Sequence, residues 1–250
     1  MVFARPLSCR TLFAFFLSPM TALLLAALLA ILPGVGSAVA PAAAATAAVP
    51  RMARPAPDST QTHYAQKNAE ALRNLLQEAD TRARRLLCRY RLYPLTQDES
   101  YLEGLPEDPP QNATARELAL LAGLWGYRAA EASVFGAMQA GRRSMDLLEA
   151  ARAKDPEAPF VLLIGGQSLL YRPGLAGGSD AEALRRFRRL RKALDGRPDA
   201  AVAPTEAALW TWYALRETDR LDAARALHQK LAARDLPPLY REFLEHPPGR

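Results

Sequence analysis

The sequence predicts an all-α fold, and three observations carry that prediction. Alanine, leucine and arginine dominate the chain after residue 58, and all three are strong helix formers. Apolar residues recur there three and four apart, the spacing of helices with one buried face. Valine, isoleucine and threonine, of which the first two above all favour strands, are sparse. A hydrophobic fraction of 50% against 23% charged residues leaves ample material for a core.

The first forty residues stand apart from this pattern. Arg5 and Arg10 give a basic start, and residues 12–32 are almost wholly apolar. Pro33 and Gly34 break the run before "SAVA", which brings small residues up to Ala40. This layout is that of a secretory signal peptide, so residues 1–40 are expected to send the chain to the periplasm or beyond. The alternative is an uncleaved anchor, because the apolar run is long enough to span a bilayer. Residues 41–58, alanine and proline with few hydrogen-bonding side chains, predict a flexible linker. Without the leader, Cys88 is the one cysteine left, which excludes an internal disulfide and suits a small buried hydrophobe. The net charge of +6 is too mild to argue for nucleic acid.

The helical domain is expected over residues 59–250. Asp58 or Ser59 can cap its first helix, and apolar residues from Ala71 to Leu87 extend that helix to Tyr93. Pro94 is expected to stop it, giving one rod roughly 50 Å long. The acidic, proline-rich residues 95–111 predict a solvated loop. A second helix opens near Asn112 or Thr114 and is expected to reach Gly141, with its return partner running to Pro156. Further helices are predicted in "APFVLLIGGQSLL", "AEALRRFRRLRKALDG", "PTEAALWTWYALRE" and "RLDAARALHQKLAARD".

One pattern recurs in the second helix of each pair: a small residue, a bulky one four on, and an apolar one three further. It falls at Ser144, Leu148 and Ala151, at Ala183, Phe187 and Leu190, and at Ala224, His228 and Leu231. First helices carry small and aromatic residues that permit close approach, among them Gly126, Phe135, Gly165, Gly166 and Trp212. From Trp125 to Pro237 this resembles tetratricopeptide repeats, although steps of 39 and 41 residues exceed the usual period of about 34. The stretch "LLYRPGLAGGSDAEALRRF" is similar to one in exported proteins of that kind, including the T component associated with TRAP transporters. The resemblance implies a right-handed α-α superhelix of about three helical hairpins, with the long N-terminal helix as a cap. It also implies binding along the concave face, which first helices line. On that reading Phe160, Gln167 and Tyr171 of the second hairpin and Tyr213 and Arg216 of the third would hold a partner, with Glu206 and Leu209 beside them. The first hairpin presents only small residues, and the helix of residues 59–93 is the nearest element to fill that end.

Residues 171–180, "YRPGLAGGSD", raise the question of a phosphate-binding loop. A P-loop needs a lysine after its last glycine and a strand before its first, and neither is present. Asp180 would repel a phosphate at the helix start, whereas Ser179 and Glu182 have the spacing of a capping box. A turn is therefore expected. No cofactor, metal or catalytic grouping emerges: His63, His228 and His246 lack ligand spacing, and no G-x-S-x-G occurs. The run from Arg185 to Lys192 is expected as a solvated helix face, with an anionic membrane surface or an acidic partner as its other use. The expected function is a non-catalytic exported scaffold for a protein or peptide. The alternative is a solute-binding component serving a transporter, with a pocket near Gln167, Tyr171 and Tyr213.

Overall fold

The computed structural model describes residues 58–249 except 196, 198 and 199, so the expected signal peptide and most of the linker lie outside the described residues. Among the described residues every regular element is a helix. None is long and apolar enough to cross a membrane.

The N-terminal rod does not form. It is replaced by α1 (Ser59–Ala65), α2 (Ala69–Gln77) and α3 (Arg82–Thr96). Lys67 turns left-handed at φ 56°, after which Asn68 caps α2 by accepting from the Ala71 amide. Thr81 caps α3 in the same way through Arg84. These caps compete with continuous helix more strongly than the periodic leucines alone reveal. Pro94 does not stop α3 either. The helix runs two residues further to Thr96 and ends where Gln97 turns left-handed at φ 55°. In the last turn the missing proline N–H costs a single hydrogen bond.

The expected solvated loop is partly anchored. A 3-10 turn at Glu99–Leu102 drives Leu102 into the core, and Leu105 follows it. Trp125 Nε1 donates to the Pro106 carbonyl at 3.3 Å.

The next helices pair as hairpins. α4 (Ala115–Glu131) packs on α5 (Val134–Lys154), α6 (Pro159–Tyr171) on α7 (Asp180–Ala193), and α8 (Pro204–Glu217) on α9 (Leu221–Ala232). Thr114 and Glu117 close a full capping box at the start of α4. The break between α4 and α5 falls at Ala132–Ser133, nine residues earlier than the Gly141 boundary, and α5 runs straight through Gly141. Phe135 consequently begins α5 and points to solvent, 85% exposed, instead of lining a first helix.

The recurring pattern in α5, α7 and α9 is the buried seam of each second helix. Ser144, Leu148, Ala151, Ala183, Phe187, Leu190, Ala224 and Leu231 are all buried, while His228 is half-buried against the Trp212 ring. Small residues are placed where a neighbour comes close. A methyl group on Gly166 would stand 2.5 Å from the Phe187 ring, and one on Gly123 would stand 2.7 Å from Tyr90 of α3. Ser144 Oγ donates to the Ala122 carbonyl at 2.7 Å, tying α5 to α4.

Successive hairpins meet through α4 on α6 and α7 on α8. The final helix, α10 (Pro238–Glu245), packs on α8, α9 and α1. Tyr240 of α10 accepts from Gln61 Nε2, and Lys67 Nζ lies 2.5 Å from Glu242. The first and last described helices are therefore in direct contact.

Candidate functional site

The residues expected to line a binding face sit on α6 and α8, and side chains of α3 reach both. Arg91 is the centre of this arrangement. Its Nη1 donates to Glu206 Oε1 at 2.6 Å and its Nη2 to Oε2 at 2.9 Å. The same Nη2 reaches Gln61 Oε1 at 3.0 Å and the Ala201 carbonyl at 3.2 Å. The guanidinium lies 4.2 Å from the Tyr64 ring centre and 5.7 Å from that of Phe160. Burial alone would lower the Arg91 pKa, but the Glu206 charge and its hydrogen bonds outweigh burial and hold it above the ordinary value. Arg91 is thus a fixed cation joining α1, α3 and α8.

Around it the tyrosines form a stack. Tyr90 lies 5.4 Å from Tyr127 and Tyr93 lies 4.8 Å from Tyr127, centre to centre. Tyr90 Oη donates to Gln167 Oε1 at 2.8 Å. Burial pushes the Tyr90 hydroxyl well up and raises that of Tyr64, so both remain protonated at neutral pH.

This places each expected partner residue. Phe160 is buried at 1% exposure, and Gln167 is engaged by Tyr90. Tyr213 is buried and donates to the Pro248 carbonyl in the C-terminal tail at 2.8 Å. Tyr171 is 41% exposed, and Arg216 is exposed with its guanidinium 5.3 Å from the Trp212 ring centre. The chain's own α3 and tail therefore occupy three of the five, and two remain at the surface. The residues that meet Phe160, Gln167 and Glu206 from α3, Arg91 and Tyr90, escaped sequence reasoning. The signal was an arginine inside the apolar run "LLCRYRLY", where a solvated charge has no place.

The two accessible residues are linked by rings. Tyr171 meets Trp210 edge-on at 6.3 Å, Trp210 meets Phe243 of α10 at 4.9 Å, and Phe243 meets Trp212 at 6.4 Å. Trp210 and Phe243 are half-buried, and Leu175 beside Tyr171 is 85% exposed.

The glycine stretch folds as a turn. A short 3-10 segment, Gly174–Ala176, leads to Gly177 at φ 85°. Gly178 packs so tightly that a Cβ would meet the Arg172 carbonyl oxygen at 1.8 Å. Ser179 Oγ accepts from the Glu182 amide, so half of the expected capping box forms. The Glu182 carboxylate turns to Arg185 and Arg186 instead. In the basic run Arg189 pairs with Glu157, while Arg188, Arg191 and Lys192 are exposed.

Cys88 is buried, and burial pushes its thiol up to about 11, far from a reactive thiolate. Among the described residues no group of histidine, cysteine and carboxylate side chains could hold a metal ion. Comparison with family models, curated proteins and solved structures finds no match.

Proposed function

We propose that the chain is an exported, non-catalytic scaffold: a tetratricopeptide-like right-handed superhelix of three helical hairpins that holds a protein or peptide partner. The observation that carries this reading is the ring sequence from Tyr171 through Trp210, Phe243 and Trp212 to Arg216. Tyr171, Trp210 and Phe243 are partly exposed over a buried Trp212, and such aromatics flanked by an arginine are the residue types that concentrate binding energy at protein interfaces. The inner face is occupied by α3 and the tail, so the partner would engage this outer edge of α6, α8 and α10. The signal-peptide layout of residues 1–40 supports an encounter outside the cytoplasm.

The test is site-specific photo-cross-linking in the native host. A photoreactive amino acid at Tyr171 or Arg216 should trap the same partner, and one at the exposed Arg185 of α7 should not. Equal capture from all three positions, or none from the first two, would refute the reading.

A further inference from the structure

α5 leans on α6 far less than α7 does, and the gap left between the three helices is a cleft of about 730 Å³. Three arginines from three different elements line it: Arg152 of α5, Arg172 just after α6, and Arg186 of α7. That convergence has no structural use apparent in the packing, since like charges repel one another.

Two of the three are built in. The Arg186 side chain is 11% exposed and lies flat on α6, where a Cβ on Gly165 would meet its Nη1 at 2.3 Å. Arg172 Nη2 donates to Ser168 Oγ at 2.6 Å, and its carbonyl is clasped by the Gly178 turn. The glycine stretch thus fixes an arginine at the mouth of the cleft.

Their charge is only partly answered. Glu182 is held at 2.5 Å by Arg185 and reaches Arg186 at 3.4 Å. Asp146 and Glu149 line the α5 wall of the cleft and are exposed. Burial lowers the pKa of Arg172 and Arg186, and the nearby Arg152 charge lowers Arg186 further.

We propose that this cleft binds a small soluble anion bearing two or more phosphate or carboxylate groups, with Arg152, Arg172 and Arg186 as its clamp. Guanidinium forks take such groups bidentately, and the contact strengthens where water is partly excluded. The volume falls within the range of small-molecule sites, roughly 300–1,000 Å³, and exceeds what one inorganic phosphate fills. The site is independent of the ring edge assigned to a protein partner.

Titration calorimetry on the full-length chain at low salt, with pyrophosphate and with citrate as probes, tests this. At least one probe should bind saturably. Arg152→Glu, an exposed position that keeps the fold, should weaken that binding by about tenfold or more, the worth of one charge-assisted contact. Arg188→Glu, on α7 but outside the cleft walls, should leave it within about twofold. Arg186→Gln should weaken binding as Arg152→Glu does, with far-UV circular dichroism unchanged. Failure of folded wild type to bind either probe would overturn the proposal, and so would equal losses from Arg152→Glu and Arg188→Glu. Binding confined to phosphatidylglycerol vesicles would overturn the soluble-anion assignment in favour of a lipid headgroup.

Discussion

Replacing Arg91 by methionine removes the buried cation that joins α1, α3 and α8. The side chain is 1% exposed, and its loss strands both oxygens of Glu206, itself 4% exposed, along with Gln61 Oε1 and the Ala201 carbonyl. Breaking a buried pair by removing one partner costs about 3–5 kcal/mol, because the surviving charge has no water to turn to. Typical domains are stable by only about 5–15 kcal/mol, so much of the total is at stake. At roughly 2–4 °C per kcal/mol for a domain of this size, the midpoint should fall by about 6–20 °C. Glu206→Leu alone should do comparable harm by stranding Arg91. The double variant, Arg91→Met with Glu206→Leu, leaves no buried charge and should recover much of the loss. Urea denaturation followed by circular dichroism reads all three, and the cycle should show a coupling of at least about 2 kcal/mol. A loss under about 1 kcal/mol for Arg91→Met, or a double variant that merely sums the single losses, would refute this reasoning.

Phe187→Ala should cost about 3–5 kcal/mol, since the ring is fully buried between Gly166 and Trp210, and a urea midpoint within error of wild type would contradict that packing. Gly178→Ala should destabilise more than Gly177→Ala, because a Cβ at 178 meets backbone at 1.8 Å whereas one at 177 meets only the left-handed penalty of about 1–2 kcal/mol. Ser179→Ala should cost about 1 kcal/mol through the lost cap, read by urea denaturation. Acid sensitivity should trace partly to Glu117: burial would raise its pKa, but the Arg82 fork and Thr114 hold it below the ordinary 4.5. A depressed carboxylate stabilises the fold above its unfolded value and loses that contribution as pH falls through 4.5 toward the folded value. The stability gap between wild type and Glu117→Gln should therefore be constant near neutrality and close in acid, and a gap that does not narrow as the pH is lowered below 4.5 would contradict the assignment.

The hairpins from Thr114 onward were legible because their signals are local. Thr114, Pro159 and Pro204 mark helix starts, and the seam from Ser144 to Ala151 repeats at 183–190. The break near Asp80 was hidden because apolar spacing runs on from Leu76 through Ala79 and Ala83 to Leu86, and the one at Lys67 because no apolar period precedes it to be interrupted. The Ala132–Ser133 break was hidden for another reason: Ser133 makes no side-chain cap bond, so the break carries little local chemistry of its own. Phe160, Gln167 and Tyr213 sat on helices that the sequence predicts, yet what meets them could not be read. The Tyr90 contact to Gln167 and the Arg91 contacts to Glu206 span separations of 77 and 115 residues. The cleft arginines are likewise scattered over 152–186 and meet only through packing.

The contact between α1 and α10 changes how this molecule should come apart. In an open row of helical hairpins each unit touches only its neighbours, so an end can fray while the middle persists. Here the hydrogen bond between Gln61 and Tyr240 and the Lys67–Glu242 pair bind one end of the chain to the other. Arg91 then carries that closure inward to α8 through Glu206. Fraying at either terminus must give up contacts at both, which turns a ladder of partial openings into a single cooperative event. Slow amide exchange in α1, a helix of only seven residues, would be its signature.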